Sequence, residues 1–347
     1  MKNVLLTGGG TGGHLAIVKS VKEELLKRGV DVYYIGSLSG QDRLWFEQDC
    51  DFKDKLFLST SGVVNKRGLE KASSLLKLGS AIFKAKSFMK NHKIESVLSV
   101  GGFSAAAASF ASIITKTPLF IHEQNAIPGR LNQILRPFAR QFFSSYGENR
   151  IDYPVSTQFF KSARVRTKVE SVIFLGGSQG AKAINDFAIQ LAPELKRKGI
   201  NIIHQSGKAD FERVKRAYKE LKVDADLFDF DKDLVSKIFK ADLAVSRAGA
   251  STVWELTAAQ IPTLFIPYPY AAGDHQYYNA LHHEKEGAGW VVRQDMLTQE
   301  IFWNIFDSDI EKVSRRLKRL ISPNGVGKIV DLILTFEPYE NYQNQPL

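Results

Sequence analysis

Four times along this chain a short apolar run empties directly into a turn of small residues. Val4–Leu6 leads into Gly8-Gly9-Gly10-Thr11-Gly12-Gly13, and Val97–Val100 into Gly101-Gly102-Phe103-Ser104. Further on, Val172–Leu175 leads into Gly176-Gly177-Ser178-Gln179-Gly180, and Leu243–Val245 into Ser246-Arg247-Ala248-Gly249. The last two repeat the first two at similar offsets. Other uninterrupted runs, Val32–Ile35, Leu119–Ile121, Ile200–Ile203 and Thr263–Ile266, alternate with stretches of helical period. Runs without polar alternation are strands covered on both faces, the condition of a parallel sheet flanked by helices. The pattern predicts an α/β chain of two doubly wound, Rossmann-like domains, and 347 residues suffice for two cores. Their junction is expected within Asp152–Lys168, where Tyr153-Pro154 interrupts the alternation and Lys161, Arg164, Arg166 and Lys168 cluster. Ligands of such sheets bind beyond the carboxyl ends of the strands, so two domains facing each other would share one interdomain cleft.

A glycine turn between strand and helix brings backbone close to a phosphate whose charge rests on the helix N-terminus. Gly8, Gly10 and Gly13 satisfy the dinucleotide spacing G-x-G-x-x-G. That reading requires an acid at the end of the second strand, which here runs Tyr34-Ile35-Gly36-Ser37 with no carboxylate before Asp42. A nicotinamide dehydrogenase is therefore disfavoured. No glycine loop ends in Gly-Lys-Ser/Thr, which opposes a P-loop. Four loops, all at strand ends, favour phosphate binding over mere tight turns, and His14 should occupy the first helical turn after the first loop. The D-x-D spacings in Asp224–Asp226 and Asp229–Asp233 lie beside Lys222 and Lys232 and read as a solvated loop rather than a magnesium site. Thr252-Val253-Trp254-Glu255 has two readings: a helix capping box, or a carboxylate offered to two ribose hydroxyls. Asp274-His275-Gln276-Tyr277-Tyr278-Asn279, after Pro267–Tyr270, suits a polar, uncharged ligand such as a sugar.

The single cysteine, Cys50, rules out an internal disulfide and fits a reducing compartment. Met1–Leu6 is too short an apolar run for a secretory signal, and Phe103–Ile114 falls short of the roughly 18 to 20 apolar residues of a membrane span. A cytoplasmic protein is expected. The charge is less ordinary: 47 Lys and Arg against 37 Asp and Glu leave a net +10. That excess favours an anionic partner, whether nucleic acid, a phosphorylated substrate or an acidic membrane surface. No nucleic-acid-binding motif accompanies it.

Taken together, Gly9–His14, His122-Glu123-Gln124-Asn125, Leu175–Ala181, Arg247–Thr252 with Glu255, and Asp274-His275-Gln276 with Asn279-Ala280 resemble the MurG family. These are the peptidoglycan N-acetylglucosaminyltransferases, which convert lipid I to lipid II. The motifs occur in the family's order and cover nearly the whole chain. The resemblance implies a GT-B fold, with residues 1–157 binding acceptor and membrane and residues 158–322 binding UDP-N-acetylglucosamine (UDP-GlcNAc). Residues 323–347 would form a helix (Ile329–Phe336) and tail returning to the first domain. It implies donor contacts at Thr11, Gly12, Gly13, Asn125, Ser178, Asp231 (through its backbone), Ala250, Ser251, Thr252, Val253, Trp254, Glu255 and Gln276. Gly10, Gly101, Gly102 and Ser104 would receive the acceptor diphosphate.

The reaction so implied is an inverting transfer to the N-acetylmuramyl sugar of lipid I, with no cofactor and no metal. His14 is the first candidate for general base and Glu123 the alternative; Arg247 either faces the leaving diphosphate or packs structurally. A nucleotide-sugar epimerase is the alternative within the fold. Between Ser61 and Lys93, eight basic residues (Lys66, Arg67, Lys71, Lys77, Lys84, Lys86, Lys90, Lys93) face one acid, Glu70, with Leu75, Leu76, Ile82 and Phe83 interleaved at helical spacing. Such a stretch suits an anionic leaflet, placing the enzyme peripherally on the cytoplasmic face of the inner membrane. Three positions depart from the family pattern. Ser156 follows Pro154-Val155 where relatives carry an Arg, a loss that Arg164 or Arg166 could offset. No Pro occurs in Leu15–Val18, and Gly273 stands where an acid or amide is common.

Overall fold

The computed structural model describes residues 2–60, 68–147, 150–161, 163–177, 180–231 and 234–336, with backbone only at 68–72 and 75. Two compact units divide the described residues. The first comprises those of Met1–Gln124, Pro128–Pro154 and Asn324–Leu347, the second those of Asn125–Ile127 and Val155–Pro323.

In the first unit the order is β1 (Asn3–Thr7), α1 (Gly12–Lys27), β2 (Asp31–Ser37), α2 (Asp42–Phe46), β3 (Asp54–Leu58) and α3 (Gly68–Asn91). It continues through β4 (Ser96–Ser99), α4 (Ala106–Thr115), β5 (Leu119–Glu123), α5 (Arg130–Leu135) and β6 (Gln141–Ser144). The second unit runs α6 (Thr157–Lys161), β7 (Ser171–Leu175), α7 (Lys182–Arg197), β8 (Asn201–Gln205), α8 (Phe211–Glu220), β9 (Asp226–Phe228) and α9 (Leu234–Lys240). After these come β10 (Leu243–Ser246), α10 (Ala250–Ala258), β11 (Thr263–Phe265), α11 (His275–Lys285), β12 (Trp290–Val291), α12 (Gln299–Phe306) and α13 (Ile310–Leu320). A last helix, α14 (Gly325–Leu334), belongs to the first unit.

Each unit holds one six-stranded parallel sheet. The orders, β3-β2-β1-β4-β5-β6 and β12-β11-β10-β7-β8-β9, are the same doubly wound arrangement read from opposite edges. In both, the strand order reverses between the first and fourth strands, with Leu5 beside Val97 and Val172 beside Leu243. The four sequence turns follow β1, β4, β7 and β10, the two pairs of strands that flank these reversals. A ligand crevice opens there because successive crossovers leave in opposite directions.

The central strands are buried on both faces, as at Val4, Leu5 and Leu6 or Val172, Ile173 and Phe174. Helix α1 supplies Leu15, Val18, Val21 and Leu25 to the core at helical spacing. It stops at Gly29, whose positive φ of 72° lets Val30 N–H reach back to Leu25 O at 3.1 Å. Helix α7 stops identically: Gly199 has φ 72°, and Ile200 N–H donates to Leu195 O at 2.9 Å. The apolar stretch Phe103–Ile114 is the core helix α4, in which Ala107, Ala108 and Ala111 are fully buried. Among the described residues no helix is long and apolar enough to cross a membrane.

Helix α14 starts a turn earlier than Ile329 and ends before Phe336. Ile329, Val330 and Ile333 are fully buried, Asp331 pairs with Arg28 of α1, and Lys328 pairs with Asp152 at 2.8 Å. One sequence expectation holds only in part: Asp224, Asp229 and Asp231 lie in loop, but between them runs the short strand β9. Asp226 begins that edge strand, opposite Ile203, and its carboxylate is taken by Lys237 at 2.7 Å.

Candidate active site

In the first unit the turns after β1 and β4 interlock through their backbones. A Cβ on Gly8 would lie 2.6 Å from Gly101 O, and one on Gly102 would lie 2.5 Å from Gly9 O. Both residues also have positive φ, 119° and 79°. Here glycine is required by mutual packing as well as by conformation. The Gly10 amide is committed to a residue that sequence reasoning passed over. It donates to Asp42 Oδ2 at 2.6 Å, while Ser37 N–H donates to Asp42 Oδ1 at 2.9 Å and the Tyr34 hydroxyl lies 3.0 Å from the same oxygen. Asp42 is fully buried. In sequence it shows only as the first acid after the second strand and by its i,i+4 spacing with Phe46, the buried ring of the same short helix.

With Gly10 so tied, this loop offers a ligand the N-terminus of α1, whose first turn carries no acid. An anion there meets the positive end of the helix dipole. Thr11, the N-cap, makes no capping bond; its Oγ1 lies 2.8 Å from His14 Nδ1 and orients the imidazole. Ser104 departs from expectation: it is 1% exposed, in a short turn before α4, so its hydroxyl is closed off from a diphosphate.

Glu123 ends β5 and is buried. Its Oε2 accepts from Gly129 N–H at 3.0 Å and Asn132 Nδ2 at 2.8 Å, which fastens the carboxylate to the N-terminal end of α5. That anchoring suits a structural acceptor better than a base. The adjacent His122 is fully buried edge-on to Tyr153, and burial, reinforced by the nearby His14, pushes its pKa down to about 3. It is a neutral imidazole.

In the second unit the site centres on the N-terminus of α10. The helix begins at Ala250 with Gly249 as N-cap and no side-chain capping bond, so Thr252 sits inside the first turn and the capping-box reading is wrong. Glu255 lies one turn further on, partly buried. Among the described residues its carboxylate has no hydrogen-bond or ion-pair partner, and burial raises its pKa to about 7. Ser251 and Thr252 are half-exposed, whereas Val253 and Trp254 turn into the core, the indole packing against His283 at 5.0 Å. Those two side chains are part of the core, so any ligand contact there falls to their backbone. A Cβ on Gly249 would meet nothing within 4 Å, and its φ of −63° is ordinary. Neither strain nor crowding calls for glycine there, which leaves room for a ligand's close approach.

Gln276 Oε1 accepts from Ala248 N–H at 3.2 Å and Tyr268 N–H at 3.0 Å, joining the turns after β10 and β11. Asn279, buried in α11, takes Ala126 N–H on Oδ1 at 2.8 Å and donates through Nδ2 to Asn125 Oδ1 at 3.1 Å and Ala248 O at 3.2 Å. Asn125 is thereby held beside the start of α10. Asn279 matched a motif, but its positioning role was not legible because its partner is 154 positions away. Asp231 is half-buried just after β9, and Ser178 lies outside the described residues.

The arginines are structural. Half-buried Arg247 donates to the carbonyls of Ile266 and Pro267, both at 3.1 Å, and to Gln294 Oε1 at 2.7 Å, so it clamps the turn after β11 rather than facing a leaving group. Neither Arg164 nor Arg166 replaces the absent junction arginine. Arg164 pairs with Asp242 at 2.6 Å. Arg166 is fully buried among the carbonyls of Arg164, Ala241 and Ala259, where burial lowers its pKa to about 9. Ala241 and Ala259 follow the ends of α9 and α10, so this cation satisfies helix C-termini. Among the described residues, no group of three or more His, Cys, Asp or Glu is placed to hold a metal ion.

Residues 4–144 match the N-terminal domain of glycosyltransferase family 28, and residues 171–318 its C-terminal domain. A protein of Wolinella succinogenes, named UDP-N-acetylglucosamine–N-acetylmuramyl-(pentapeptide) pyrophosphoryl-undecaprenol N-acetylglucosamine transferase, is 51% identical over 96% of this chain and 100% of its own length. The chain belongs to this transferase family. The equally named protein of Helicobacter hepaticus is 48% identical over 94% of the chain and 97% of its own. Among solved structures, MurG of Acinetobacter baumannii superposes with a TM-score of 0.79 at 27% identity, covering 97% of this chain and 100% of that one. A UDP-GlcNAc 2-epimerase of Neisseria meningitidis reaches 0.64 at 15% identity, covering 97% and 100%, a likeness of fold alone. As a family-28 transferase, the chain has the GT-B fold, with a Rossmann-like domain on each six-stranded sheet.

Proposed function

We propose that this enzyme transfers N-acetylglucosamine from UDP-GlcNAc, with inversion, to the N-acetylmuramyl sugar of undecaprenyl-pyrophosphoryl-MurNAc-pentapeptide (lipid I), giving lipid II for peptidoglycan. The carrying observation is the 51% identity over the full length of a transferase so named. The donor lies at the N-terminus of α10, where the carboxylate of Glu255 accepts from the ribose hydroxyls. The Gln276 amide nitrogen has no hydrogen-bond partner among the described residues and serves as a donor to the nucleotide sugar. Thr11, Gly12, Gly13 and Asn125 contribute further donor contacts. The acceptor diphosphate rests on the turns around Gly10, Gly101 and Gly102, against the N-terminus of α1.

His14 is the base. With Nδ1–H donating to Thr11 Oγ1, Nε2 carries the lone pair that removes the proton from the acceptor hydroxyl as its oxygen attacks the anomeric carbon and UDP departs. Helix N-termini stabilise the charge on the leaving diphosphate.

Helix α3 is the membrane-facing element of this reading. Leu76 and Phe83 are 77% and 72% exposed among Lys77, Lys84, Lys86 and Lys90, whereas Ile82, one of the interleaved apolar residues, packs against the core. Such a face suits an acidic leaflet at the cytoplasmic side of the inner membrane. Incubation with labelled UDP-GlcNAc and a soluble lipid I analogue should yield labelled lipid product and UDP. Formation of a 2-epimerised nucleotide sugar without acceptor would overturn the reading.

A further inference from the structure

Helix α2 presents an apolar face that no core claims. Its i,i+4 pair, Asp42 and Phe46, points inward: Asp42 is fully buried, and the Phe46 ring packs at 4.9 Å from Tyr34 and 5.3 Å from Phe52. The opposite side carries Leu44, 84% exposed, and Trp45, 37% exposed; Leu38, in the preceding loop, is 50% exposed. Because Asp42 and Phe46 fix the helix from beneath, these side chains stand on a rigid platform rather than a frayed end. Three large apolar side chains exposed within eight residues exceed the scattered exposure usual on a monomer's surface and point to a binding role.

The patch borders the first glycine loop directly. The Trp45 ring lies 3.6 Å from the position a Cβ would take on Gly12, with Gln41 at 3.3 Å, and a Cβ on Gly40 would lie 2.8 Å from Gly10 Cα. The α1 N-terminus suits a diphosphate, and the apolar patch begins within one side chain of it. A polyprenyl diphosphate has the same sequence of chemistry, anion first and isoprene immediately after.

We infer that Leu38, Leu44 and Trp45 form a subsite for the first isoprene units of the lipid-linked acceptor. This rests on the placement of the acceptor diphosphate at the α1 N-terminus. The subsite makes the enzyme selective for a prenyl chain close to the diphosphate, independently of any bilayer.

The test uses the full-length enzyme without vesicles and two soluble acceptors with the same sugar and peptide. One carries a butyl diphosphate, the other a geranyl diphosphate with two isoprene units. The wild-type kcat/KM ratio should favour geranyl by about fivefold or more, from burial of the added hydrocarbon. Trp45→Ala and Leu44→Ser should bring the ratio towards one, and Trp45→Phe should restore it, with thermal melting confirming intact folding. A wild-type ratio of one, or a ratio unchanged in the variants, overturns the subsite. So does an unchanged ratio joined to lost flotation with phosphatidylglycerol vesicles, which would make the patch a membrane contact. If the wild type turns over neither acceptor, the transferase reading itself fails and the subsite falls with it.

Discussion

Asn279 holds Asn125 through a 3.1 Å hydrogen bond, and its other amide atom takes the neighbouring Ala126 N–H at 2.8 Å. One buried side chain thus sets the conformation of a segment far away in sequence. Asn279→Asp replaces the donating nitrogen with an oxygen facing Asn125 Oδ1 and Ala248 O. It should destabilise the protein by about 1–3 kcal/mol and raise the KM for UDP-GlcNAc. Urea unfolding and donor kinetics check the two effects separately; a stable variant with a wild-type donor KM would refute the positioning role.

The Glu255 carboxyl, raised to about 7 by burial, predicts a pH dependence of donor binding. With Glu255 as the proposed ribose acceptor, only its ionised form would accept from both hydroxyls, so UDP affinity should rise as pH increases through 7 and level off above it. For folding the sign is opposite. The raised folded-state pKa means that stability is greatest below the unfolded value and declines as pH climbs towards 7. Glu255→Gln should flatten the binding profile and weaken UDP by roughly tenfold or more. Calorimetric titration from pH 5.5 to 8.5 is the measurement.

The two candidate bases separate cleanly. His14→Ala should lower kcat by about 10² or more with UDP binding retained. Glu123→Gln keeps an oxygen for Gly129 N–H and should mainly cost stability, about 1–2 kcal/mol, with kcat changed only modestly. A His14→Ala loss under about fivefold would return the role to Glu123.

Arg166 tests the structural assignment of the junction arginines. Arg166→Met strips the donors from the carbonyls of Ala241 and Ala259 and should destabilise the second unit by about 3–5 kcal/mol. At temperatures where the variant remains folded, its kcat should stay close to wild type. A large fall in kcat without a fall in stability would show that Arg166 serves the reaction.

What the sequence disclosed follows burial. Strands β1, β4, β7 and β10 are covered on both faces, so their apolar runs stand out and their loops announce the two crevices. The edge strands β9 and β12 have only three and two residues, and Asp54 at the start of β3 and Asp226 at the start of β9 look like loop. Glu255 was readable as a residue but not as a geometry, since the helix starts at Ala250 rather than after Thr252. The role of Asp42 was not legible because its work is done on Gly10, 32 positions earlier. Arg166 reads in sequence as a stand-in for the absent junction arginine because its carbonyl partners at Ala241 and Ala259 lie 75 and 93 positions away.

The return of α14 to the first unit has a topological consequence. Gly325 packs so tightly on Asp152 that a Cβ would sit 2.4 Å from the Asp152 carbonyl oxygen, and Lys328 ties the same residue from the next turn. The places where the chain departs from this unit and rejoins it are neighbours. Apart from Asn125–Ile127, the second unit is therefore, in its connectivity, an insertion. Splicing Pro154 to Asn324 through a short turn would close the first unit into a chain of its own, and α10 with Glu255 would leave with the excised piece.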